Sequence, residues 1–261
     1  MNILFIGDIV GHGGREAVQK LVPELRKEFN LSMVIANAEN IAAGAGLTGS
    51  CLKELRKAVD FFTAGDHVWD QKEFEKEIPG IHDIVRPANL SSMQPGVGIK
   101  VVRNPVAGEI AVMALQGKVF MRDSAYCPFE TAERLLSQLP ESVKTILVDF
   151  HAEATSEKIA MGYFLDGKVT AVLGTHTHVQ TNDARILSGG TAYLTDVGMV
   201  GAEYSVLGRK VEEVLIKFRT GMPRRLPVAD GPIRLDACVI SYDRISGKAD
   251  KITPISRIIE L

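Results

Sequence analysis

Five short clusters in this 261-residue chain combine oxygen and imidazole donors: Gly7-Asp8, Glu39-Asn40, Gly65-Asp66-His67, Asp149-Phe150-His151 and Gly174-Thr175-His176-Thr177-His178. Four of the six histidines lie in them, and only His12 and His82 fall elsewhere. Carboxylate, amide and imidazole donors without thiolate suit borderline divalent ions, iron or manganese ahead of zinc. There are more donors than one ion can use. Two ions a few ångströms apart need an anionic oxygen between them, and such a pair can stabilise both the attacking and the leaving oxygen of a phosphoryl displacement. In an extended segment, residues two apart project to the same side, so His176 and His178 can reach one ion or two adjacent ions.

Each cluster follows a short apolar run. Asn2–Ile6, Met33–Ala36, Phe61–Ala64, Thr145–Val148 and Val169–Leu173 read as strands, with helices expected over Arg15–Glu28, Thr48–Ala58, Gln71–Glu77 and Phe129–Leu139. In α/β sheets the carboxyl ends of strands form the ligand crevice, which is where these donors fall. Val97–Val102 and Ile110–Leu115, separated by Asn104, Pro105 and Gly108, read instead as an antiparallel hairpin. Ile233, Leu235, Ala237 and Val239 alternate with more polar neighbours, and Lys251–Ile258 can pair back across the Ser246-Gly247 turn. The expectation is an α/β fold of two mixed sheets covered by helices, forming one domain over residues 1–261.

Blander readings stand beside several of these residues. Asp8 could simply cap a turn. Glu39-Asn40 has no obvious sequence partner before the flexible AAGAG segment. Gly11, Gly13 and Gly14 could present N–H groups to a phosphate, but their spacing is not GxGxxG and a tight turn is the better reading. Trp69, the sole tryptophan, reads as core or pocket wall rather than a base-stacking platform. Arg224-Arg225 reads as a solvated pair. Asp149 could orient a ligand or merely pack.

Thirty Lys and Arg against 32 Asp and Glu give a net charge of -2, which implies no polyelectrolyte attraction to nucleic acid or membrane. Any nucleotide must be recognised locally, and no extended nucleic-acid surface is expected. Cys51, Cys127 and Cys238 lack metal-ligand spacing and suit a reducing compartment. With no basic leader and no apolar run near the roughly 20 residues of a membrane helix, a cytoplasmic location is expected. Homo-oligomerisation is left open.

The runs LFIGDIVG, ANAENIAAGAG, GDHVWD, LQGKVFM, FHAEATSEK, GTHTHVQT and YLTDVGMVG together resemble the YmdB-type branch of the calcineurin-like metallophosphoesterases, over about Met1 to Gly208. The resemblance implies a four-layer α/β/β/α sandwich and a two-metal site that hydrolyses phosphodiesters, with 2',3'-cyclic nucleotides as substrate class. It places Asp8, Asn40 and His178 on one ion, His151 and His176 on the other, and Glu39 as the bridge. His67 becomes the general acid. One departure is Asp66, where the family usually has asparagine; as a ligand it adds a third negative charge against the four positive charges of two divalent ions. The implied mechanism is attack of a metal-bridging hydroxide on phosphorus, in line with the departing ribose oxygen, which His67 protonates.

Two other classes compete. A metal-dependent amidohydrolase would carry its His-x-His on the first strand of a barrel, whereas here Asp8 holds that place and eight regular strand-helix units are missing. A non-catalytic or weakly catalytic nucleotide-binding regulator could use the same metal site.

Overall fold

Strand β1 (Asn2–Ile6) shows how the layers arise, since its alternate side chains enter different cores. Leu4 and Ile6 pack towards helices, while Ile3 and Phe5 pack towards a second sheet. The computed structural model describes residues 1–122 and 124–261. After β1 come β2 (Asp8–Ile9), helix α1 (Gly11–Glu28), β3 (Met33–Asn37), α2 (Gly49–Leu55), β4 (Phe61–Thr63), a 3-10 turn (Asp66–Trp69), α3 (Phe74–Glu77) and β5 (Ile84–Val85). Next are β6 (Ile99–Asn104), β7 (Gly108–Gln116), α4 (Pro128–Ser137), β8 (Thr145–His151), α5 (Thr155–Phe164) and β9 (Ala171–Thr175). The chain finishes with β10 (Arg185–Ile186), β11 (Ala192–Leu194), β12 (Met199–Ala202), α6 (Val211–Thr220), β13 (Ile233–Tyr242) and β14 (Ala249–Ile259).

The first sheet runs β2-β12-β13-β1-β3-β4-β5, with β14 paired to β13. The second runs β10-β11-β9-β8-β7-β6, parallel from β11 to β7 and antiparallel at both edges. Ile3, Phe5, Ile35 and Phe61 of the first sheet meet Ile110, Val112, Leu147 and Leu173 of the second. Val18, Val22, Leu52 and Leu55 cover the outer face of the first sheet, and Ala132, Met161 and Leu165 that of the second. This is the expected α/β/β/α layering. The 97–115 hairpin and the pairing of β13 with β14 are as read from sequence.

Several boundaries differ. Helix α1 starts at Gly11 rather than Arg15, since the Gly14 N–H already donates to the Val10 carbonyl, and Gly14 lies against Val200, where a Cβ would stand 2.5 Å from the carbonyl oxygen. The three glycines are therefore helix-start and packing residues. Thr48 caps α2 by accepting the Cys51 N–H instead of belonging to it, and α2 stops at Leu55. The helix expected from Gln71 spans only Phe74–Glu77. Strands β2, β5 and β10 to β12, each two to four residues long, and helix α6 went unread. Trp69 packs near Phe74 and donates to Gln94, and Arg224 pairs with Glu213. Among the described residues, no helix is long and apolar enough to cross a membrane.

Candidate metal centre

The first sheet supplies oxygen donors and the second supplies imidazoles. Asp8 lies at the start of β2, Glu39 and Asn40 follow β3, and Asp66 opens the 3-10 turn after β4. His151 ends β8, and His176 and His178 follow β9. All of these sequence-selected donors come together. Two groups could each hold an ion: Glu39, Asp66, His151 and His176, and Asp8, Glu39 and His178. Glu39 belongs to both.

In the first group, the His151 Nε2 atom lies 3.0 Å from Asp66 Oδ1, 3.1 Å from Glu39 Oε2 and 3.0 Å from His176 Nδ1. Donors bound at about 2.0–2.1 Å around one ion lie roughly 2.9–3.4 Å from one another, so this spacing fits an ion at their centre. The second group is looser, with Asp8 Oδ1 3.7 Å from His178 Nε2. Asp8 Oδ1 is buried with no hydrogen-bond donor, while Oδ2 accepts the His176 N–H at 3.1 Å. A buried carboxylate oxygen without a partner is costly unless a cation serves it. Asn40 turns its Nδ2 towards Glu39 Oε1 and His178 Nε2, at 2.9 and 3.3 Å, so binding an ion through its carbonyl oxygen requires an amide flip.

The outer nitrogen of every cluster imidazole is occupied. Thr175 Oγ1 donates to Asp149 Oδ1 at 2.6 Å and therefore accepts from His151 Nδ1–H at 2.8 Å. This leaves the His151 Nε2 lone pair facing the donor group. Glu153 Oε2 lies 3.2 Å from His176 Nε2, and the Leu207 carbonyl lies 3.3 Å from His178 Nδ1. His67 Nδ1 meets Asp70 Oδ2 at 2.7 Å, while the His67 backbone N–H donates to Glu39 Oε2.

The His-x-His segment is not extended. The strand stops at Thr175, and both histidines have left-handed backbone angles, φ 98° at His176 and 61° at His178. That conformation is uncommon for non-glycine residues and needs outside support. Asp196 supplies it, accepting from Thr177 N and Oγ1 at 3.1 and 2.7 Å, and is itself paired with buried Lys158 at 2.6 Å. The turn, rather than side-chain alternation, sends the two imidazoles to different donor groups. Gly65 makes the approach from β4 possible, since a Cβ there would lie 2.2 Å from Glu39 Oε2 and 2.3 Å from His151 Cδ2.

Burial pushes Asp8 well above the usual carboxylate range, although His151 opposes it. Burial also opposes charge on His151, but Glu39, Asp66 and Asp8 outweigh it and raise its pKa well above the usual imidazole value. Asp66 is lowered despite burial, through its contacts with His151 and His176. Burial brings His178 down to about 4, leaving it neutral and ready to donate a lone pair near pH 7.

Thr175, Glu153, Asp196 and Lys158 were assigned no role from sequence, although all lie in or beside the quoted FHAEATSEK, GTHTHVQT and YLTDVGMVG runs. Asp149, left between orienting and packing, contacts Thr175, Thr63 and Asn37. It thus reaches His151 through Thr175. Glu39, Asn40, His67, His176 and His178 line a cleft of about 370 Å³ whose remaining lining includes Leu207, Lys217, Phe218 and Leu226.

A family model described as YmdB-like protein matches residues 4–255. A Bacillus subtilis (strain 168) protein named 2',3'-cyclic-nucleotide 2'-phosphodiesterase is 44% identical over 98% of this chain and 96% of its own length. A solved structure from Thermus thermophilus, of a hypothetical protein, superimposes with a TM-score of 0.92 at 39% identity and covers 99% of both chains. A Mycoplasma pneumoniae structure described as a novel phosphatase gives a TM-score of 0.93 at 32% identity, covering 100% of this chain and 94% of that one.

Proposed function

This chain belongs to the YmdB-like family, and on that premise we propose that its cleft binds two divalent metal ions and hydrolyses phosphodiesters, with 2',3'-cyclic nucleotides as the substrate class. The observation that carries the reading is Glu39, shared by two donor groups, one of which contains an unpartnered buried carboxylate oxygen.

Asp8, Asn40 and His178 hold one ion in this reading, Asp66, His151 and His176 the other, and Glu39 serves both. When bound, the ions supply Lewis acidity towards the phosphate and activate water as the nucleophile. The protein's part is to aim and to move protons. Thr175, Glu153 and the Leu207 carbonyl fix which imidazole nitrogen faces inward. Asp70 holds His67 Nδ1, so the proton delivered to the departing ribose oxygen sits on Nε2. Asp66 brings a charge where the family usually has an amide, and it is bound to both His151 and His176.

The test is elemental analysis of metal-replete protein together with turnover of 2',3'-cyclic AMP and bis(p-nitrophenyl) phosphate. Two equivalents of metal and hydrolysis of both substrates are expected. One equivalent or less overturns the dinuclear site. Full metal content without turnover of either substrate favours a nucleotide-binding regulator.

A further inference from the structure

Helix α6 buries Val214 and leaves Leu215, Lys217 and Phe218 exposed, with Phe218 76% accessible. Val214, Lys217 and Phe218 are spaced i, i+3, i+4 and so share one helix face. That face lines the same cleft as His176, His178 and His67. Leu215 and Ile216 project elsewhere on the helix and do not line it. Phe218 makes no aromatic contact among the described residues, and no described carboxylate pairs with Lys217. A phenyl ring and an ammonium, without an aromatic or a carboxylate partner among the described residues, therefore line the same cleft as the candidate metal centre. The cleft is about 370 Å³, within the usual range for small-molecule sites.

We propose that this α6 face is the nucleoside-recognition wall of the cleft, with Phe218 stacking on the nucleobase and Lys217 facing the anionic phosphate. The inference rests on the phosphodiesterase reading and adds to it the part of the substrate remote from the reacting bond. A phenyl face accepts any base, so the wall distinguishes base-bearing from base-free phosphates more than one base from another. The larger neighbouring groove that shares Arg209 and Leu226 contains none of the candidate metal donors and lines its wall with carboxylates as well as arginines, namely Glu16, Asp230 and Glu260 beside Arg209 and Arg225.

Calorimetric titration of the metal-loaded protein with adenosine 3'-monophosphate and with inorganic phosphate tests the proposal without relying on turnover. The wild type is expected to prefer the nucleotide. Base–aromatic stacking is worth about 1–3 kcal/mol, so Phe218→Ala should reduce that preference about 5- to 150-fold, and Phe218→Trp should keep it. Lys217→Gln should weaken both ligands several-fold, with less dependence on salt. Because Phe218 is exposed, its replacement leaves the core intact, which a thermal melt checks. The proposal is overturned if the wild type shows no preference, or if Phe218→Ala weakens both ligands equally. It is also overturned if that variant changes only the particle size in light scattering, which would make Phe218 a subunit contact. Wild-type protein that prefers the nucleotide but does not hydrolyse 2',3'-cyclic AMP would refute the hydrolytic reading while sustaining the recognition wall.

Discussion

Imidazole orientation is set residue by residue, and the Asp149, Thr175 and His151 chain is the most enclosed instance. Thr63 at 2.5 Å and Asn37 at 3.0 Å both donate to Asp149 Oδ2, whereas Thr175 donates to Oδ1, so one hydroxyl serves the buried carboxylate and the imidazole together. Thr175→Val keeps the shape but removes the acceptor for His151 Nδ1–H. Metal affinity should fall about 10- to 100-fold, as for other lost partners of metal-ligating histidines, and Thr175→Ser should restore it. Chelator-competition titration reads this directly; unchanged affinity in Thr175→Val would mean that packing alone orients the ring. His67 differs in kind, because it lies outside both donor groups while lining the cleft. His67→Ala should keep its metal and lose about 10²- to 10⁴-fold in turnover of 2',3'-cyclic AMP, whose alkoxide leaving group needs a proton. A nitrophenolate leaves without help, so the loss on bis(p-nitrophenyl) phosphate should be much smaller. Equal losses on the two substrates would remove His67 from the acid role.

Strand ends and the turns after them place the donors. After β4 the chain must pass Glu39 and His151 so closely that position 65 has no room for a side chain. The atoms a methyl group would strike are Glu39 Oε2 and the His151 ring, so the damage from Gly65→Ala falls on the donors before the core. We expect Gly65→Ala to fold cooperatively with metal content well below that of the wild type, measured by elemental analysis beside a circular-dichroism melt. Full occupancy would show that the turn can shift to accept a Cβ. The turn after β9 is built differently. A second close approach, with Gly174 against the Thr195 carbonyl, brings Asp196 to Thr177 and so supports the left-handed histidines from a neighbouring segment.

Across the whole molecule, both sheets contribute to the candidate centre: Asp8, Glu39, Asn40 and Asp66 from one side, and His151, His176 and His178 from the other. Bound ions would therefore join the two sheets. At about 100 times its Kd, one ion adds about 2.7 kcal/mol, or roughly 5–11 °C in Tm for a chain of this size. The pH dependence has a definite sign. The folded-state pKa values of Asp8 and His151 are raised above 3.8 and 6.5, so each contributes stability to metal-free protein below those values and loses it as pH rises. Ligation requires both groups to be deprotonated, so the ion displaces the protons they retain. The Tm difference between metal-loaded and chelator-treated protein should therefore widen as pH rises from about 5 to 8. A constant difference in differential scanning calorimetry would separate metal binding from the ionisation of these two groups.

The sequence by itself determined the donor types and their places. Short apolar runs followed at once by Asp8, Glu39-Asn40, Asp66-His67, His151 and His176-Thr177-His178 carry local signals of strand period and strand end, and those signals survived folding. That two mixed sheets are covered by helices was equally legible, because strand and helix periods are short-range patterns, whereas the four-layer order came with the family resemblance. Strands β10 to β12 were not, being two to four residues long, and β12 is held between two strands remote from it in sequence, β2 and β13. Helix α6 also went unread, for it buries Val214 alone and leaves most of its apolar residues in solvent. Only tertiary structure decided which imidazole meets which carboxylate. His176 and His178 diverge because Asp8 and Asp196, 168 and 19 residues from their partners, hold a backbone turn that the local sequence does not favour. The partners of the candidate donors are likewise contacts across the chain, with Thr175 and Asp149 separated by 26 residues and Lys158 and Asp196 by 38. Such pairings depend on sheet register, and register is fixed when the two sheets pack.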